Sequence, residues 1–196
     1  MALRVDHGVT SGTFSLDGQT FDVDNNVWVL GDDETCVVID APHDVDGILR
    51  VVGDRRVTAI LLTHAHDDHV RVAPELSERT GAPLYLHPAE EPLWTLTHPD
   101  RPMPQPLADN QLIEGLTVLH TPGHSPGAVC FYAPELNAVF TGDTLFHGGP
   151  GATGRSYSDY DTIVKSIRER LFTLPTATVV HTGHGRDTLI AAERII

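Results

Sequence analysis

Residues 63–70 read THAHDDHV, so three histidines and two aspartates fall within six positions, directly after the apolar run VTAILL. A buried core does not ask for imidazoles and carboxylates at that density, and a solvated charge run would contain lysine or arginine. Together they form the donor set of a divalent cation such as zinc, iron or manganese. In extended backbone, residues two apart point the same way, which aligns His64, His66 and Asp68 and sets His69 apart. In a helix, His64/Asp68 and His66/His69 pair instead. A strand end that turns into a helix splits the four groups between two neighbouring points. Two cations about 3.5–4 Å apart satisfy that arrangement.

Three more donors occur in matching contexts: His124 in TPGHSPG, Asp143 in FTGDTLF and His184 in HTGHGR. Each follows an apolar strand-like run and adjoins glycine, where backbone can approach closely and turn sharply.

The elements that must position these groups are legible as short strands first, then alternating strands and helices. FSLDGQTFDV reads as a hairpin around Asp17-Gly18, and NVWVLGDDETCVVID as a second turning at Gly31-Asp32-Asp33. Residues 45–53 have helical apolar spacing and end on glycine. VTAILLT is a strand buried on both faces, PELSERTG a helix with proline near its start, and APLYLH a further strand. Residues 88–111 are rich in proline and read as a surface excursion of the kind that lines or covers sites; Trp94 within it reads as core. LTVLHT, GAVCFYAPELNAVFTGD and ATVVHTGHG supply later strands, with a long helix at 159–172 before the last. A weak duplication, hairpin then apolar strand ending in histidines, suggests two βα halves packed sheet to sheet.

These motifs carry a resemblance. THAHDDH matches the T-H-x-H-x-D-H signature of the metallo-β-lactamase fold superfamily, and TPGHS, GDTLF and GHG resemble its later motifs in the same order. NNVWVL and VVIDAP look like its early strands, and TPGH with GDTLF looks most like the glyoxalase II branch of thioester hydrolases. The resemblance covers nearly the whole chain. It implies an α+β fold, a four-layer αβ/βα sandwich of two mixed β-sheets packed face to face with helices outside, in a single domain over residues 1–196. It implies two divalent cations, zinc first, with iron or manganese as alternatives. His64, His66 and His124 hold one, Asp68, His69 and His184 the other, and Asp143 bridges them. Asp68 and Asp143 carry the catalytic carboxylates, and Asp40 holds a ligand histidine from behind. Asp67 is a surface or helix-capping residue. The implied reaction is attack of a metal-bound hydroxide on a small-molecule thioester. A mononuclear iron persulfide dioxygenase, using His64, His124 and Asp143, and a lactone hydrolase are alternatives on the same fold.

The loop GGPGATGRSY, residues 148–157, departs from that pattern. It is about three residues longer than the usual form and lacks the cysteine. Arg155 and Tyr157 resemble the basic residue and tyrosine that contact the thiol carrier. The glycine pair that often follows D-H is absent, since His69 runs into VRVAPEL. Twelve residues follow His184, so the resemblance is to a short form without the C-terminal helical domain. Substrate grip then falls to the proline-rich segment, the 148–157 loop or the partner subunit of a homodimer. His7, His43, His87, His98, His120, His147 and His181 are read as non-ligands, with His147 the one placed to line a pocket.

Composition removes other classes. The net charge is −14, from 13 basic and 27 acidic residues, which argues against nucleic acid and anionic membrane as partners. No apolar run of membrane-spanning length is present and the first residues lack the apolar core of a signal peptide, so a cytoplasmic location is expected. Cys36 and Cys130 lie far apart in apolar runs and read as two buried thiols rather than a disulfide framework.

Overall fold

The computed structural model describes residues 2–194. The chain divides into two compact units, Met1–Pro106 and Leu107–Ile196, each built on a mixed six-stranded sheet. The α+β class and the two sheets read from the sequence are both present.

In the first unit, strands β1 (Arg4–Leu16) and β2 (Gln19–Gly31) pair antiparallel along their whole length, with Arg4 opposite Gly31 and Leu16 opposite Gln19. Asp17 and Gly18 take φ values of 54° and 73°, the two left-handed residues that a two-residue type I′ hairpin turn needs. The second turn is tied by Asp32, whose Oδ1 accepts from the N–H groups of Glu34 and Thr35, both at 2.8 Å. It leads into β3 (Thr35–Ile39). Helix α1 (Val45–Val52) is capped by Asp44. It makes the crossover that a parallel partner requires, and β4 (Arg56–Leu61) then pairs parallel to β3. Ala59, Ile60 and Leu61 are all buried, as expected where both faces of a strand are covered.

Beyond β4 come helices α2 (Asp67–Val70) and α3 (Ala73–Thr80), strand β5 (Leu84–Leu86), a 3₁₀ turn (Pro88–Glu90), helix α4 (Glu91–Thr97) and strand β6 (Gln105–Pro106). The sheet order is β1-β2-β3-β4-β5-β6. The proline-rich stretch is not a simple surface excursion. Its helix α4 buries Leu93 and Trp94 in the core formed with Val29, Ile48, Ile60 and Leu76, and Glu90 just before it is fully buried. Pro88 and Pro92 sit at helix starts, where a missing N–H costs nothing.

The second unit contains β7 (Leu112–Ile113), β8 (Leu116–His120), β9 (Val129–Ala133), β10 (Ala138–Gly142), the short pair β11 (Leu145–Phe146) and β12 (Gly149–Pro150), helix α5 (Tyr160–Ser166), β13 (Val179–Thr182), β14 (Thr188–Leu189) and α6 (Ile190–Glu193). The sheet order is β14-β13-β10-β9-β8-β7. Only β10 and β13 run parallel among its neighbouring strands, and α5 lies in the crossover between them. Asp159 caps α5 by accepting from Thr162 N–H at 2.7 Å, and hydrogen bonds from the Thr162 side chain and N–H hold its carboxyl below the usual range. A π-helical turn (Ile167–Leu171) extends α5 and buries Ile167 and Leu171 beside Val139, Leu145 and Val180. Among the described residues no helix is long and apolar enough to cross a membrane.

Candidate functional site

In the first unit the chain leaves β4, crosses residues 62–66 without regular structure and enters α2 at Asp67. This is the strand-to-helix turn that the spacing of THAHDDH requires. His64, His66, Asp68 and His69 are all buried, and their donor atoms converge. His64 Nε2 lies 3.1 Å from His66 Nδ1, and His69 Nε2 lies 3.5 Å from Asp68 Oδ2. With metal–nitrogen bonds of about 2.0–2.1 Å, neighbouring ligands of a tetrahedral cation stand about 3.3–3.4 Å apart. Each pair is therefore spaced close to two ligands of one cation.

Partners behind the rings fix which nitrogen is bare. Asp40 Oδ2 lies 2.8 Å from His69 Nδ1. A carboxylate only accepts, so the ring proton sits on Nδ1 and Nε2 keeps its lone pair. Asp40 also accepts from Thr63 N–H at 2.7 Å and from Thr63 Oγ1 at 2.8 Å. The single hydroxyl proton of Thr63 is thereby used. Thr63 Oγ1, 3.0 Å from His64 Nδ1, must then accept, and His64 Nε2 is bare as well. One carboxylate sets two tautomers. It does so from a left-handed backbone, φ 62°, a conformation aspartate tolerates better than most residues.

Asn25 is a functional residue that the motifs did not single out. Its Nδ2 donates to Asp68 Oδ2 at 3.0 Å and lies 3.3 Å from His69 Nε2. Its Oδ1 accepts from His43 Nε2 at 2.8 Å. Burial pushes the His43 imidazole below its ordinary pKa, so His43 serves as a neutral donor that orients the amide. Glu90 is another: its Oε2 accepts from Ala65 N–H at 2.7 Å, pinning the loop between His64 and His66. Only a side chain 25 positions away in sequence does this, and no spacing rule would find it. Asp67 neither caps a helix nor stands free on the surface. It is the first residue of α2, and its Oδ1 accepts from Ser15 N–H at 3.0 Å while Oδ2 pairs with Arg71. It ties α2 to β1, where the ring of Phe14 lies 5.0 Å from that of His66.

In the second unit three strand ends bring His124, Asp143 and His184 together. His124 follows β8, Asp143 follows β10 and His184 follows β13. Asp143 Oδ2 lies 3.6 Å from His124 Nε2 and 3.4 Å from His184 Nε2, again the separation of atoms sharing a cation. His124 Nδ1 donates to the carbonyl of Ala152 at 2.8 Å, which leaves Nε2 bare. Gly151 makes this possible. A Cβ there would stand 1.7 Å from the Asp143 carbonyl oxygen, so only glycine lets the loop lie against both residues.

Arg155 and Tyr157 occupy one turn of the long loop. The Ser158 hydroxyl accepts from Arg155 N–H and donates to the Arg155 carbonyl. Tyr157 is exposed with φ 70°, an unusual conformation for an aromatic residue and of the kind that clusters at ligand clamps. The cysteines are elsewhere and inert. Cys130 is fully buried, its thiol pushed up to about 11 by burial, and burial raises Cys36 likewise. A cavity of about 660 Å³ between β1 and α1 contains none of the candidate ligands. Its most buried cation, Arg55, is held by Asp6 and by the carbonyls of Val51 and Val52.

Comparison with known proteins finds relatives over most of the chain. A family model described as the metallo-beta-lactamase superfamily matches residues 20–184. A probable metallo-hydrolase of Bacillus subtilis, YqgX, is 34% identical over 187 residues, covering 86% of this chain and 89% of its own. The hydroxyacylglutathione hydrolase GloC of Haemophilus influenzae is 29% identical over 185 residues, with coverage of 85% and 87%. The crystal structure of TTHA1623 in a di-iron-bound form is 34% identical, with a TM-score of 0.78 over 95% of this chain and all of the other.

Proposed function

The chain belongs to the metallo-β-lactamase superfamily, and from that premise we propose that it is a metal-dependent hydrolase cleaving thioesters of a small thiol. The observation that carries the metal requirement is that Nε2 of His64, His69 and His124 is left without a proton and so keeps its lone pair. Each of these rings has its Nδ1 committed to a fixed acceptor. Such preparation suits a ligand imidazole, and on these three rings it leaves Nε2 beside further donor atoms, His66 Nδ1, Asp68 Oδ2 and Asp143 Oδ2. The similarity to a hydroxyacylglutathione hydrolase and to a di-iron protein supports two cations and a thioester substrate.

In this reading His64, His66 and His124 would hold one cation and Asp68, His69 and His184 the other, with Asp143 as a further ligand. The chemistry that such cations supply is Lewis-acid polarisation of a carbonyl and a water of lowered pKa. The protein's own part is orientation. Asp40 keeps His64 and His69 in the tautomers that bind. Asn25, steadied by His43, holds the Asp68 carboxylate so that its lone pairs stay aimed. Asp68 and Asp143 are the carboxylates that would help hold the cations, and a water so bound would give up its proton to solvent at neutral pH without a separate protein base. The acyl C–S bond breaks as water oxygen bonds the carbonyl carbon, and the thiolate departs without needing a strong acid. Arg155 and Tyr157 contact the thiol carrier, from a turn that Ser158 keeps in shape.

The test is a panel of acyl-thioesters of different small thiols, run on protein of measured metal content. Hydrolysis that tracks two metals per chain is the expected result. Thiol-dependent oxygen uptake by protein with one iron, and no thioester cleavage, would replace the hydrolase by a dioxygenase.

A further inference from the structure

On the thioester reading above, we propose that Arg186, held in place by His147, binds an anionic group of the thiol carrier, a carboxylate or a phosphate. Arg186 lies two residues beyond His184. His147 follows Phe146, whose ring centroid lies 6.2 Å from that of His184. Both side chains are thus next to a proposed metal ligand that is itself 25% exposed.

Arg186 Nη2 donates to His147 Nε2 at 2.7 Å. Nδ1 of the same ring lies 3.2 Å from Nη2; a guanidinium has no lone pair to offer, so the imidazole is the acceptor. Nη2 spends one of its two protons on His147; the other, beside the N–H of Nε or Nη1, forms a fork that stays open. That fork matches the two oxygens of a carboxylate or phosphate.

The charge environment makes the pair unusual. The chain has 27 acidic residues against 13 basic ones, yet among the described residues no carboxylate pairs with Arg186. Its neighbour Asp187 is committed to His181 Nδ1 at 2.8 Å. A guanidinium held by an imidazole instead of a carboxylate, in so acidic a protein, keeps its attraction for an incoming anion.

The pair is also anchored. The buried carboxylate of Glu193 accepts from Gly148 N–H at 2.9 Å and from Thr188 Oγ1 at 2.6 Å. It therefore fastens the residue after His147 and the second residue after Arg186 to the same point. Thr182 Oγ1 donates to the His184 carbonyl at 2.7 Å, tightening the turn that presents Arg186. Such support is what a recognition residue needs to hold one geometry.

Calorimetric titration of the metal-loaded protein tests this without relying on turnover. The probes are S-methylglutathione against its dimethyl ester, and S-methylphosphopantetheine against S-methylpantetheine. The anionic member of one pair is expected to bind about 10–100-fold tighter, the range of a charge-assisted hydrogen-bonded contact. The pair showing the preference names the anion. Arg186→Ala reduces it to within about threefold, Arg186→Lys keeps part of it, and His147→Ala lowers it less than Arg186→Ala, all at unchanged metal content. An Arg186→Ala protein that keeps the full preference, or a wild type that shows none in either pair, overturns the proposal. A preference that depends on Arg186, in a protein that cleaves no thioester, removes the hydrolase reading and leaves this one standing.

Discussion

Replacing Asp40 by asparagine separates metal affinity from fold. The two side chains have the same shape, and asparagine tolerates the left-handed backbone at this position at least as well. The difference is in lone pairs. Asp40 accepts three hydrogen bonds, from Thr63 N–H, Thr63 Oγ1 and His69 Nδ1. An asparagine that keeps its oxygen on Thr63 N–H turns its NH₂ toward the hydroxyl and the imidazole. His69 must then accept at Nδ1, which moves its proton to Nε2. The Thr63 hydroxyl, now an acceptor for the amide, turns its proton toward His64 Nδ1, and His64 is forced into the same wrong tautomer. Two proposed ligand atoms become N–H groups. If the amide flips instead, the buried Thr63 N–H loses its acceptor, at about 1–3 kcal/mol.

Loss of one such outer partner costs about 10–100-fold in metal affinity, or about 1.4–2.7 kcal/mol. Because Asp40 serves two rings, the upper end of that range is expected. The assay is competition with a chromophoric chelator of known affinity, alongside circular dichroism to show that the secondary structure is intact. An Asp40→Asn protein that folds and binds metal within threefold of wild type would refute the tautomer reasoning.

Other substitutions probe single contacts. Gly151→Ala places a methyl group 1.7 Å from the Asp143 carbonyl oxygen; the forced shift should lower stability by about 3 kcal/mol or more, read as a fall in Tm, and should reduce metal stoichiometry. Glu90→Ala leaves the buried Ala65 N–H without its carboxylate, and a loss of about 1–3 kcal/mol in urea unfolding is expected; an unchanged midpoint would show that the contact is dispensable. Burial lowers the pKa of His98 from its ordinary 6.5, and of His43 likewise. The unfolded chain then binds the extra protons, so this stability is present above pH about 6.5 and is lost as the pH falls. Thermal unfolding of metal-free protein should show that decline, and His98→Gln, which keeps a donor for the Val70 carbonyl, should flatten part of it.

The sequence by itself determined the elements and the chemistry. Apolar runs with period two, Asp17-Gly18 at a turn and glycine after helices are local signals, and the strands and helices formed where those signals stood. The donors were equally legible, because imidazoles and carboxylates packed into THAHDDH have few uses besides holding metal. What tertiary structure alone decided is how those donors are prepared. Asn25, Glu90 and His43 look ordinary in sequence, and Asp67 sits in the motif without declaring its job. Their roles depend on partners 18 to 52 positions away, and hydrogen bonds of that reach have no periodicity to read. The proline-rich stretch shows the same limit: its composition spoke for a surface loop with Trp94 as core, while the helix there and the burial of Leu93 and Glu90 depended on the face the rest of the unit offered them.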